Sequence, residues 1–364
     1  MQTKLLVDSH NFMAQLVEDM CQASSSVMVQ AMTFEGDQAG SELVAAMIAS
    51  NAKEKILLVD SYTKAVINDH FVVGTEYLRS KSFRDEVKNT RKLLEKARKA
   101  GIKVKFTNPL GLLMWKYPLR NHKKMICIDG KISYLGGINF SDHNFAWHDA
   151  MVRIEDDQIG QILKDDFGNT LLGRNQTAEF NLDVSSIYFF NGIKSKELYS
   201  KLFSYLANAR QSIDILSPYI SDPLLSYIRD HVRKDVAVRI ISPEENNKSI
   251  FKRFLNQELT KGYFQLYHYQ GGMSHLKAIL IDRSILIMGS SNFDFVSYYF
   301  EQEVAMVSSH QPFINEFIDK VLHVDFAASK EVTAALLEKS NISGLLKRLN
   351  SLCHFASSTF LKPK

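Results

Sequence analysis

A histidine, a lysine two residues on and an asparagine seventeen on occur together twice in this sequence. The first set is His122, Lys124 and Asn139; the second is His275, Lys277 and Asn292. Each set also carries an aspartate seven residues after the histidine (Asp129, Asp282) and a glycine fourteen after it (Gly136, Gly289), and the copies lie 153 residues apart. Five positions fixed at about one in twenty each give a chance match of roughly one in three million per start. Two matches with one spacing therefore mark a duplicated site. Each copy offers an imidazole, an ammonium and a carboxamide. Two of each suit a phosphodiester: the cations and amide donors hold the anion while two imidazoles divide the proton work.

The spacing also says how the groups are held. Residues 125–128 and 278–281 are short apolar runs that read as buried strands. Positions i and i+2 of a strand share a side, so each His and its Lys face the same way. Asp129 and Asp282 fall at odd offset from their histidines and read as structural, holding the following turn. Gly-Gly or Gly-Ser after the next apolar run permits a tight backbone, and the Asn beyond it can offer its NH2 to the same spot.

The duplicated HxKxxxxD pattern followed by G[GS]xN resembles the phospholipase D superfamily. Arg120-Asn121-His122-Lys123-Lys124, Trp147-His148-Asp149, Ser217-Pro218-Tyr219 and Asn292-Phe293-Asp294 are similar to its bacterial cardiolipin synthase and phosphatidyltransferase branch, over roughly residues 20 to 325. The resemblance implies metal-independent chemistry without a cofactor, through a phosphohistidine. It gives His122 as nucleophile and His275 as acid and base, with Lys124, Lys277, Asn139 and Asn292 on the non-bridging oxygens. Glu303, eleven residues past Asn292, matches the family's downstream Glu; Asp149, ten past Asn139, is the equivalent candidate for fixing an imidazole. Val296 stands where the branch often has Arg. No metal-ligand cluster is evident in the sequence. The alternative in the same superfamily is a nuclease-type phosphodiesterase.

Strand and helix patterns alternate in the same order in both halves. Helices are expected at 9–22, 40–50, 75–100 and 157–171, then at 196–209, 222–232 and 248–256. Strands are expected at 27–34, 55–60, 102–106 and 150–155, then at 212–218, 236–242, 263–269 and 302–307. This predicts an α/β fold of two similar halves, each a mostly parallel sheet flanked by helices, with the active site at their interface. The expected divisions are 1–172, 173–327 and a helical extension at 328–364, with an apolar stripe along 342–353. Residues 62–93 have no counterpart in the second half and read as either a lid or a surface helix. The loop before His122 is long and apolar: Leu110, Leu112, Leu113, Met114, Trp115 and Tyr117. Such residues commonly join a core. The functional reading makes Leu113, Trp115 and Tyr117 substrate-binding, as an acyl-chain wall or membrane-facing lip.

Composition bounds the rest. The chain has 364 residues, 45% hydrophobic and 23% charged, with a net charge of +4, which is ordinary for globular domains. There is no basic block of the kind a dedicated nucleic-acid partner would need. The three cysteines do not form a disulfide framework. No signal peptide and no apolar run of spanning length is expected, unlike cardiolipin synthases, which usually carry N-terminal spans. The expectation is a cytoplasmic protein, peripheral at the inner membrane face, with a phospholipid substrate; the oligomeric state is not legible.

Overall fold

The computed structural model describes residues 1–333 together with Gly344, Arg348, Leu349, Ser351 and Leu352. The chain divides into two units, Met1–Gln176 and Thr177–Lys364.

The first unit runs β1 (Gln2–Val7), α1 (Ser9–Gln22), β2 (Ser26–Ala31), α2 (Gln38–Ala49), β3 (Glu54–Asp60), β4 (Val66–Ile67), β5 (His70–Phe71), α3 (Thr75–Arg79), α4 (Lys81–Lys99), β6 (Lys103–Thr107), β7 (Met125–Ile128), β8 (Ile132–Gly136), α5 (Asp142–Phe145), β9 (Ala150–Glu155) and α6 (Asp157–Leu171). Its seven-stranded sheet is ordered β1-β9-β8-β7-β2-β3-β6. Phe12, Leu16 and Met20 of α1 recur every fourth residue and are fully buried, as a helix packed on a sheet requires. The expected single helix over 75–100 breaks at Ser80. This residue ends α3, and its side chain accepts the Phe83 N–H at 3.2 Å to start α4, a capping role that favours serine over continuation.

The second unit repeats the plan. It runs β10 (Ala178–Asn181), β11 (Ser185–Asn191), α7 (Lys196–Ala207), β12 (Ser212–Leu216), α8 (Leu224–His231), β13 (Ala237–Pro243), α9 (Ser249–Leu259), β14 (Gln265–Tyr269), β15 (Ala278–Ile281), β16 (Ile285–Gly289), α10 (Phe295–Phe300), β17 (Gln302–Ser308), α11 (Gln311–Phe317), α12 (His323–Ala327) and β18 (Ser329–Val332). The nine-stranded sheet is ordered β10-β11-β17-β16-β15-β12-β13-β14-β18.

The α/β character and the duplication agree with the sequence, but the pairing sense does not. Only β2–β3–β6 and β12–β13–β14 pair parallel; every other neighbour is antiparallel. The motif strands account for this, because β7–β8 and β15–β16 are hairpins and hairpins pair antiparallel. At the first hairpin Asp129 and Gly130 both have positive φ, 53° and 67°, the conformation an Asp-Gly turn tolerates. The stretch just after residue 327 is also not helical at once: β18 adds antiparallel to β14 at the sheet edge. Of the stripe at 342–353, only Leu349 and Leu352 lie among the described residues; Leu349 packs against the second unit's core and Leu352 is exposed.

Asp129 and Asp282 reach backward in the chain as well as shaping their own turns. Asp129 accepts the N–H groups of Ser24, Ser25 and Ser26 at 2.9, 2.8 and 2.7 Å, and Asp282 those of Arg210, Gln211 and Ser212 at 2.8, 2.7 and 2.9 Å. Each carboxylate thus fastens the entry to β2 or β12. Burial opposes ionisation at both, but the three backbone donors outweigh it and hold each carboxyl below its usual range. A depressed folded-state pKa contributes stability above the unfolded value and loses it as pH falls through the folded one. Asp282→Ala is therefore expected to cost on the order of 1–2 kcal/mol at neutral pH. The gap from wild type should close in acid, below about pH 4. Thermal melts across pH check this; a constant gap would mean the carboxylate charge is irrelevant.

Candidate active site

In the first unit, β7 and the residues before it alternate faces. Lys123 turns towards α6 and pairs with Asp166, both buried. Lys124 turns the other way, onto the side of His122, and its Nζ donates to the His122 carbonyl at 2.8 Å. In the second unit Lys277 Nζ donates to the His275 carbonyl at 2.5 Å. Both lysines are about 1% exposed. A cation that deep needs acceptors, and the two-residue spacing just ahead of each motif strand sets each one beside its own histidine. His122 and His275 are each 6% exposed.

Asn139 is oriented by the backbone: its Oδ1 accepts the Thr33 N–H at 3.1 Å, so its NH2 points elsewhere. Thr33 lies just past β2, so the strand beside the motif strand sets the carboxamide. The halves differ here, because the Oδ1 of Asn292 is buried without a hydrogen bond.

The carboxylates explain the small residues of the motif. A Cβ on Gly137 would lie 2.4 Å from both carboxylate oxygens of Asp149; the missing side chain is the space the carboxylate fills. Asp149 is 2% exposed and accepts the Ala150 N–H at 2.8 Å. In the second unit Ser290 occupies the equivalent position, and its Oγ donates to Glu303 Oε2 at 2.5 Å. The register makes Asp149 and Glu303 equivalent: Gly136 pairs with Met151 and Gly289 with Ala305. The one-residue difference in spacing is absorbed in the connection that contains α10. Ser297 Oγ lies 2.9 Å from both Glu303 Oε1 and Glu301 Oε2, and its single proton serves one at a time.

Several residues around the sets have roles that motif reading did not assign. Tyr219 packs edge-on to His275, ring centroids 6.1 Å apart, and Lys248 Nζ sits 4.3 Å from the Tyr219 centroid. Burial, then the charge of Glu301, pushes the Asp294 carboxyl up to about 7, while its side chain caps α10 at Ser297 N. Arg120 donates to Asp60 Oδ1 at 2.7 Å, to the Asn108 carbonyl at 2.9 Å and to the Lys116 carbonyl at 2.7 Å. Asp60 Oδ2 also takes the Asn121 N–H at 2.6 Å, directly before His122. The flanking motifs were the available signal for Tyr219, Asp294 and Arg120; nothing in the sequence signalled Asp60.

The apolar loop is not core: Leu112, Leu113 and Trp115 are 83%, 93% and 63% exposed. Leu113 and Met114 hold positive φ, 50° and 58°, a strained state for such side chains. Tyr117 packs between Tyr62 and Phe71, at centroid distances of 6.0 and 5.8 Å.

One carboxylate group has no trace in the motifs. Glu35, Asp37 and Glu86 bring oxygens within 4.8 Å of one another in the first unit, the kind of oxygen set that suits a hard cation. His143 Nδ1 faces Glu35 Oε2 at 3.4 Å. Burial works against the charged imidazole, but Glu35 outweighs it and raises the His143 pKa. Burial and then the Glu35 charge push the Glu86 carboxyl up to about 7. Both shifts run in the direction that reduces the gathered negative charge.

A duplicated α/β sheet that buries a lysine beside a histidine in each copy, with an asparagine at the same spacing after each, is an arrangement suited to an enzyme that handles a phosphodiester. The chain belongs to the phospholipase D superfamily, in the family described as cardiolipin synthase, PLD-like domain, whose model matches residues 16–171 and 202–324. A cardiolipin synthase 1 of Bacillus cereus is 23% identical over 93% of this chain and 69% of the relative. A cardiolipin synthase of Alkalihalophilus pseudofirmus is 27% identical over 83% of this chain and 62% of the relative. Among solved structures, phosphatidylserine synthase of Haemophilus influenzae superposes with a TM-score of 0.70 at 14% identity, covering 99% of this chain and 95% of that one. Polyphosphate kinase of Porphyromonas gingivalis gives 0.62 at 12% identity, over 97% and 53%. These two likenesses are of fold. No helix among the described residues is long and apolar enough to cross a membrane.

Proposed function

We propose that the chain transfers a phosphatidyl group to an alcohol through a phosphohistidine, with the hydroxyl of a second phospholipid as acceptor and cardiolipin as product. In the first step an unprotonated His122 nitrogen attacks phosphorus. The phosphorus–oxygen bond to the leaving alcohol breaks, and His275 gives that oxygen its proton. In the second step His275 takes the proton of the incoming hydroxyl, that oxygen attacks phosphorus, and the phosphorus–nitrogen bond breaks to restore His122. Lys124, Lys277, Asn139 and Asn292 hold the non-bridging oxygens as charge builds. Asp149 and Glu303 keep the imidazoles in the working tautomer, while Leu113, Trp115 and Tyr117 meet the acyl chains. The protein would work as a peripheral enzyme on the cytoplasmic face of the membrane.

The observation that carries this reading is the pair of equally spaced His-Lys-Asn sets, each with its lysine buried next to its own histidine. A single proton-transfer cycle needs two imidazoles, and each half supplies one. The exposed apolar loop before His122 favours a lipid over a polar phosphodiester, since a soluble substrate gives such a surface no use. The test is incubation of the purified chain with defined phospholipids, with and without glycerol or a second lipid, and mass spectrometry of the products. Cardiolipin formed from phosphatidylglycerol is the expected result. Cleavage of oligonucleotides with no turnover of any lipid would replace this reading with the nuclease one.

A further inference from the structure

Six of the ten exposed large apolar side chains among the described residues fall between positions 71 and 115: Phe71, Val73, Leu78, Leu112, Leu113 and Trp115. They come from two separate insertions, the β4–β5 hairpin with α3 and the loop before His122. The Phe71–Tyr117 ring contact at 5.8 Å joins the two. The adjoining helix α4 holds eight Lys or Arg against three Asp or Glu, a net +5 where the whole chain has +4.

Between this hairpin and α4 lies a cleft of about 320 Å³. Lys64, Arg91 and Arg98 line it, with Val72 and Phe106 among its apolar walls and Glu95 its one acidic residue. Lys64 Nζ and the Arg98 guanidinium both sit over the Phe106 ring, 3.9 and 5.9 Å from its centroid. None of these three cations has a carboxylate within ion-pair distance among the described residues. Burial and then the nearby Arg98 lower the Lys64 pKa; the two cations crowd each other where an anion would relieve both. The hairpin links cleft and apolar tip, because Val72 lines the cleft while Phe71 and Val73 on either side are exposed.

We infer that this face of the first unit docks on an anionic phospholipid bilayer: the apolar tips enter the interface, and the Lys64–Arg91–Arg98 cleft takes a headgroup phosphate of a lipid that is not the substrate. Positive charge beside exposed apolar tips matches an anionic interface in both respects. The inference rests on the lipid reading for its choice of a bilayer as the anionic partner.

Flotation of the full chain with phosphatidylcholine vesicles, with and without phosphatidylglycerol, tests it. Wild type should bind the anionic vesicles and the binding should weaken with salt. A Lys64→Gln, Arg91→Gln, Arg98→Gln variant should bind them roughly 100-fold more weakly, at about fivefold per cation. A Val73→Ser, Leu78→Ser, Leu112→Ser variant should bind both vesicle types more weakly, with an unchanged melt. Undiminished binding by either variant overturns the inference, as does displacement of wild type from vesicles by inorganic phosphate at an ionic strength where chloride has no effect, which would mark a soluble-anion site. Turnover of a short-chain, water-soluble phosphatidylglycerol separates the two claims. It should be equal in wild type and the cation variant. Its absence in wild type alongside intact vesicle binding would sink the catalytic reading and leave the docking surface standing.

Discussion

His122→Ala and His275→Ala should each lower turnover by at least about 10³-fold, the scale expected when a nucleophile or a positioned general acid is lost. Neither change should unfold the protein, because each imidazole lies before a motif strand whose apolar residues carry the packing. The two variants should part on one substrate. A phosphatidyl ester of p-nitrophenol has a leaving group that needs no proton, so His275→Ala should recover the first step and release a burst of nitrophenolate. His122→Ala has nothing to attack with and should give none. The reverse pattern would exchange the two roles, and near wild-type rates in either variant on ordinary lipid would end the two-histidine cycle.

The largest effect on stability is expected at Arg120→Ala. Arg120 and Asp60 are 2% and 1% exposed, and their 2.7 Å pair is completed by the Asn121 and Tyr62 N–H groups on the same carboxylate. Removing the guanidinium leaves a buried carboxylate short of its main partner, a change that costs about 3–5 kcal/mol. It also frees the carbonyls of Asn108 and Lys116, which tie down the start and middle of the apolar loop. Denaturant melts should show the loss, and kcat should fall as well, because His122 follows the Asn121 amide that Asp60 holds. The double variant Asp60→Asn, Arg120→Met should recover part of the stability, since the charge has gone with its partner. A single-variant cost below about 1 kcal/mol would mean that water reaches the pair.

The helices with strong periodicity and the alternating halves were legible because they are local: α1, α6 and β9 follow from patterns within a dozen residues. Edge strands β1 and β10 were not. They alternate weakly and owe their extended form to the neighbours they pair with, β9 and β11. The hairpin of β4 and β5 is too short to leave a period at all.

What the sequence determined by itself is the duplicated residue set, the family it belongs to and its local presentation. A His and a Lys two apart in extended chain leading into a strand share a side, and Lys124 and Lys277 each donate to the carbonyl of their own histidine. What only the tertiary structure decided is where charge is stored and how it is balanced. An apolar strand does not encode the direction of its neighbour, so the antiparallel pairings other than those of the two short motif hairpins were out of reach. The Asp60–Arg120 pair, the Asp149 carboxylate in the space left by Gly137, and the gathering of Glu35, Asp37 and Glu86 all join residues distant along the chain. No periodicity links such residues; they meet because a buried charge is tolerated only where the fold brings it a partner.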